Sequence, residues 1–108
     1  MLRIYAVILD WIESVSPVVR RIASSDPRLA DQLRRSSTSV GLNVSEGMGA
    51  TGLMKRKACR IALQEMRESV GAIEIAVRLG YVSGPDDQEA DRQGRIIGTL
   101  VKLARPDN

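Results

Sequence analysis

The chain has 108 residues and a mass of 11.8 kDa, about one domain, with 44% hydrophobic and 27% charged residues, as in ordinary globular proteins. It holds no His, one Cys and three aromatic residues (Tyr5, Trp11 and Tyr81). That excludes a disulfide within one chain, a zinc centre built on Cys and His, and a catalytic set that needs a His base. It also argues against a base-stacking platform. The formal charge is +3, and it is unevenly placed: residues 27–60 carry seven basic and two acidic groups, net +5, while every other segment is neutral or slightly negative.

The first predicted helix carries Ile4, Ile8, Trp11, Ile12, Val15, Val19 and Ile22 at steps of three and four. Its apolar run Ile4 to Leu9 falls far short of the roughly 20 residues needed to cross a bilayer. No small-residue cleavage site follows it, so a cytoplasmic protein with no membrane association is expected. Pro17 removes a backbone donor and clashes with the preceding turn. The helix either kinks there or stops and restarts with Ser16 as cap.

Asp26 and Pro27 form a clear second start, a side-chain cap followed by Pro in the first turn. From there Leu29, Leu33, Val40 and Val44 make one apolar stripe. Beside it runs a polar seam: Gln32, Ser36, Ser39, Asn43 and Glu46. Asn43 and Glu46 are read as a buried structural pair, each needing a hydrogen-bond partner. Gly47, Gly49 and Gly52 end this helix.

The third helix is predicted from about Leu53 to Leu79, with Cys59, Leu63, Met66, Val70, Ile73 and Val77 as a heptad-like seam. Ile61, Ala62, Ala72, Ile75, Ala76 and Leu79 widen its apolar surface, so it is expected to be central. Gly80 serves as its stop, with Tyr81 and Val82 folding back on the last turn. The fourth helix, about Pro85 to Ala104, carries Ile97, Leu100, Val101 and Ala104, and Gly94 and Gly98 are expected to let a neighbour approach closely. No hairpin turn signal appears. The fold class is therefore all-α, one domain over residues 1–108, an up-down antiparallel four-helix bundle.

Three local patterns suggest chemistry. Gly47-Met48-Gly49-Ala50-Thr51-Gly52 fits G-x-G-x-x-G, but a helix is predicted where the dinucleotide fold needs a strand, and Leu53 stands where a phosphate loop needs Lys. Cys59 lies on the apolar seam and reads as a core residue. Glu65, Glu68 and Glu74 lack the His that a di-iron bundle uses, and nothing pairs two carboxylates at a catalytic spacing. Neither a metal, a cofactor nor an enzymatic activity is expected. The remaining signal is cationic: Arg34 and Arg35, then Lys55, Arg56, Lys57 and Arg60 at the start of the third helix. Positive charge is mildly disfavoured there by the helix dipole, while a phosphate ligand or an acidic partner favours it.

Three stretches carry a family resemblance. They are Gln32-Leu33-Arg34-Arg35-Ser36, Ser39-Val40-Gly41-Leu42-Asn43-Val44-Ser45-Glu46-Gly47, and Ala62-Leu63-Gln64-Glu65 through Ser69, Glu74, Gly80 and Tyr81. From Asp31 to Val82 the chain resembles the four-helix-bundle family of ribosomal RNA intervening-sequence proteins. That family is similar to the accessory variability determinant proteins of diversity-generating retroelements. Two departures stand out: Ser36 replaces the family's Ala, and Met54, Ala58 and Ile61 occupy a zone that is usually aromatic. The resemblance implies a protomer of a ring-like homo-oligomer, a pentamer. It also implies binding of RNA or DNA, and of a reverse transcriptase, through positive surface at Arg34, Arg35, Lys55, Arg56, Lys57 and Arg60. The competing expectation is a protein-interaction adaptor that docks an acidic partner without touching nucleic acid.

Overall fold

In the computed structural model, which describes residues 2–106, four helices follow one another: α1 (Arg3–Ala23), α2 (Pro27–Met48), α3 (Gly52–Arg78) and α4 (Asp87–Ala104). No strand occurs among the described residues.

Each boundary has a local cause. The Asp26 side chain accepts from the Leu29 N–H at 3.1 Å, with Pro27 in the first turn of α2. At the end of α3, Gly80 adopts φ +80°. The Tyr81 N–H then bonds the Ala76 carbonyl at 2.9 Å, and the Gly80 N–H bonds that of Val77 at 3.0 Å. This pair of bonds satisfies carbonyls that the helix end leaves open, and only Gly adopts such a backbone without strain. Helix α4 begins at Asp87 and not at Pro85, because Asp86 is the cap: its carboxylate accepts from the Glu89 N–H at 2.8 Å.

Pro17 does not break α1, which runs on to Ala23. Pro17 and Glu13 both lie on the exposed side. The Glu13 carbonyl that Pro17 leaves without a donor is therefore on the side facing water, where the loss is least damaging.

The helices pack in chain order, α1 on α2, α2 on α3 and α3 on α4, and α1 also meets α4 to close the bundle. The core takes Ile4, Ile8, Trp11, Val15 and Ile22 from α1 and Leu29, Leu33, Val40 and Val44 from α2. From α3 it takes Cys59, Ala62, Leu63, Met66 and Ile73, and from α4 Ile96 and Leu100. Helix α3 is central as expected, meeting both α2 and α4. At Gly41 the closeness of α1 is visible: an added Cβ would lie 2.9 Å from Ile12 Cδ1.

Three sequence expectations are corrected here. Ile96, absent from the predicted α4 stripe, is fully buried, while Ile97 and Val101 are only half-buried. Gly94 and Gly98 are exposed, with nothing within 4 Å of an added Cβ, so they mediate no close approach within the protomer. Ile61, Ile75 and Leu79 widen the apolar surface of α3 on its solvent side and not against a neighbouring helix.

Candidate nucleic-acid interface

The six cations singled out by sequence do not form one patch. Arg34 and Arg35 lie in the first half of α2, both exposed, and both lean on Asp31 one turn earlier, at 2.6 and 3.7 Å. The Arg34 guanidinium's hydrogen bond, with the charges of both arginines, holds the Asp31 carboxyl below its ordinary value. One carboxylate thus offsets half of the positive charge of this pair. Such exposed pairs contribute little to stability, about 0–1 kcal/mol.

Lys55, Arg56, Lys57 and Arg60 sit far from that pair. The Ser36 hydroxyl meets that of Ser69, so the arginine pair lies near the level of Ser69 on α3. Lys55 comes 14 residues earlier along α3, about 21 Å at 1.5 Å per residue. The helix turn then separates the four: Lys57 and Arg60 are exposed, while Lys55 and Arg56 are half-buried. Lys55 is near enough to Cys59 for its charge to oppose, in part, the burial that pushes the buried thiol's pKa up. A thiol held protonated in a core is not a nucleophile.

Two cations missed by sequence join Lys55 and Arg56. Lys102, in the last turn of α4, and Arg105, just beyond it, line the same groove of about 250 Å³ with Gly52 and Leu103. Nearly 50 residues separate these two halves along the chain, so no local spacing signals their meeting.

The polar seam also rearranges. Asn43 is half-buried and donates to the Ser39 carbonyl (2.8 Å) and hydroxyl (3.0 Å) of its own helix, and Glu46 is exposed. The buried pair expected at Asn43 and Glu46 is thus not buried in the protomer. The seam reaches full burial at Ser36, whose hydroxyl shares a 2.7 Å bond with Ser69 across the α2–α3 contact. Ser69 also donates to the Glu65 carbonyl at 3.0 Å. Next to this bond, Gln32, Arg35, Ser39, Glu65 and Glu68 line a polar groove. Burial, and then the neighbouring Glu68, push the Glu65 carboxyl above its ordinary value.

Gly47 lies in the last turn of α2, and Gly52 opens α3. The glycine-rich stretch is therefore a helix–helix turn with no strand before it, which removes the dinucleotide-site reading. No group of three or more metal-ligating side chains occurs among the described residues, and no helix there is long and apolar enough to cross a membrane.

None of the curated proteins compared matches the chain. Among solved structures it is similar to a protein of unknown function from the S23 ribosomal protein family of Bacteroides thetaiotaomicron VPI-5482. The TM-score is 0.80 at 19% identity, covering 94% of this chain and 98% of that one, a likeness of fold. The sequence match runs further than the three motifs, over residues 2–102, and it is to the 23S rRNA-intervening sequence protein. Together with the four-helix fold, this shows that the chain belongs to the 23S rRNA-intervening sequence protein family.

Proposed function

We propose that the chain is a non-enzymatic, up-down four-helix protomer of a homo-oligomeric ring, a pentamer, that binds RNA or DNA through its basic surface. In this reading it serves as an accessory to a ribosomal RNA insertion or a reverse transcriptase. The observation that carries the assembly is an apolar stripe on the solvent side of α3. Met54, Ile61, Ile75 and Leu79 are 70, 45, 53 and 56% exposed. At 100° per residue they fall within about 60° of one another, a sector that also holds exposed Lys57 and Glu68. They extend over 25 residues of chain, about 38 Å of helix. A small domain buries a limited share of its surface, and these two exposed apolar pairs on one face, Met54 with Ile61 and Ile75 with Leu79, are surface that association would cover, with Glu68 between them. Exposed Lys57 and Arg60 border the same helix and supply charge for phosphate backbones.

Light scattering at micromolar concentration should give a multiple of 11.8 kDa, and Ile61→Asp with Ile75→Asp should reduce it to the protomer. A protomer mass for the unaltered chain rejects the assembly. Anisotropy titrations with RNA and DNA oligonucleotides should show affinity falling steeply with salt. Lys57→Ala with Arg60→Ala should weaken binding for all sequences and reduce the salt slope by about 2. Salt-independent affinity, or no binding, rejects the nucleic-acid reading and leaves a protein adaptor.

A further inference from the structure

The outward side of α3 carries a second seven-residue repeat. Met54, Ile61, Glu68 and Ile75 form one line, and Ala58, Glu65, Ala72 and Leu79 form another beside it. Interleaved, they alternate steps of four and three, the spacing by which one helix lays a seam against another. Ala58 and Ala72 are buried in the protomer. An added Cβ at Gly47 of α2 would lie 3.4 Å from the Ala58 Cβ, so the seam follows the α2 side of α3. Met54, Ile61, Ile75 and Leu79 are its exposed apolar positions.

Its two central positions are carboxylates. Glu65 and Glu68 line one groove with Arg35, and Arg35 also leans on Asp31 at 3.7 Å. Burial, and then Glu68, push the Glu65 carboxyl above its ordinary value, so a further positive charge there is favourable. The opposite flank of α3 has that charge. Measured from the line through Ile61 and Leu79 at 100° per residue, Arg60, Arg67 and Arg78 fall about 100–120° to one side and Glu65 about 40° to the other. All three arginines are exposed, and Glu74 stands beside them, leaving positive charge in excess.

This pattern selects how two copies meet. A two-fold pairing of the seam with itself turns one copy end for end about the midpoint between Glu65 and Glu68. Glu65 of each copy then faces Glu68 of the other, and four carboxylates share one covered place, at a cost in both desolvation and repulsion. A contact between unlike flanks sets carboxylate against guanidinium instead, and repeated by one rotation it closes a ring.

We propose that copies of this chain join head to tail along α3, with the Glu65 and Glu68 side of one copy docked on the Arg67 and Arg78 side of the next. This arrangement rests on the assembly proposed above and names the surfaces that meet. The central carboxylates set register, as a polar residue at a core position of a coiled coil does.

Light scattering on the full chain at a series of concentrations tests it. Arg67→Glu with Arg78→Glu, and separately Glu65→Lys with Glu68→Lys, should each raise the concentration of half-dissociation by about tenfold or more. All four changes in one chain restore opposite charges between copies and should return that concentration close to the unaltered value. The exchanged acidic and basic positions are not three or four residues apart, so the rescue cannot arise along one helix. Circular dichroism melts check that each variant stays folded. Glu68→Lys alone, at an exposed position, repeats the test if the change at half-buried Glu65 unfolds the chain, with Arg67→Glu as its rescue. Reversed flanks that keep the unaltered half-dissociation, or a folded four-change chain that stays apart, overturn the head-to-tail contact and leave the assembly standing. A protomer mass for the unaltered chain overturns both.

Discussion

The Ser36–Ser69 contact gives a sharp test of how α2 and α3 are held together. Both hydroxyls are buried, and each has one proton to donate. Three acceptor contacts compete for these two protons: Ser36 to Ser69 at 2.7 Å, Ser69 to the Glu65 carbonyl at 3.0 Å, and Ser36 to the Leu33 carbonyl at 3.3 Å. The shorter pair gives one direction, with Ser36 donating to Ser69 and Ser69 donating to Glu65. Ser36→Ala leaves Ser69 still bonded to Glu65, and Ser69→Ala leaves Ser36 free to turn to Leu33. Each single change therefore loses mainly the bond between the helices, about 1 kcal/mol. The double change loses that same bond once, so its effect is also about 1 kcal/mol and not 2, a coupling of about 1 kcal/mol in a double-mutant cycle. Thermal melts at one fixed protein concentration should show a drop of about 4 °C for each of the three variants. Additive single effects would refute the shared bond, because the two hydroxyls would then be acting on separate partners.

Other perturbations follow from the same geometry. Asp26→Ala and Asp86→Ala each remove a helix cap and should cost about 1 kcal/mol, read as lower midpoints in urea with unchanged slope. Gly94→Ala and Gly98→Ala, with open space around the added methyl, should each stabilise the protomer by up to about 1 kcal/mol. A fall in melting temperature would show that a second copy lies against that face. Glu65 has a folded-state pKa raised above its ordinary 4.5 by burial and then by Glu68. Its contribution is most favourable below that value and is lost as pH rises through the folded pKa. Glu65→Gln should therefore be more stable than the unaltered chain at neutral pH, with the difference shrinking in melts near pH 4. Trp11→Ala, which empties a fully buried site, should cost about 3–5 kcal/mol and leave little folded protein at 37 °C.

Helix starts and stops were legible because their chemistry is local. Asp26 with Pro27, and Gly80 followed by Tyr81, each act within one turn, and the structure uses both as read. The apolar stripes of α1 and α2 were legible because 3.6-residue periodicity needs no knowledge of the partner. Pro17 was ambiguous because its cost depends on which side of α1 faces water, a tertiary fact. Asn43 and Glu46 were misplaced for a related reason. A polar line beside an apolar one is buried only where a second helix covers it, and the covered position is Ser36, opposite Ser69. Spacing alone does not distinguish positions along one seam.

The cations show the same limit in three dimensions. A run such as Lys55-Arg56-Lys57 is dense in sequence, yet 100° per residue scatters it around α3, so linear density overstates the local field. What concentrates charge is a second element ending at the same place. Lys102 and Arg105 look unremarkable beside a net-negative final segment. They matter because α4 packs on α3 with its last turn beside the α3 start. Asp31 works in the opposite direction, placing a carboxylate one turn before Arg34 and Arg35 and reducing the charge of a pair that sequence ranks equally with the others. For a bundle of this kind, local charge is therefore set by which helix termini meet and by where a carboxylate stands within reach of a cation, as Asp31 does for Arg34 and Arg35. Both follow from packing, and the second can be measured by comparing the salt slopes of Arg34→Ala and Lys102→Ala, where the larger decrease is expected for Lys102.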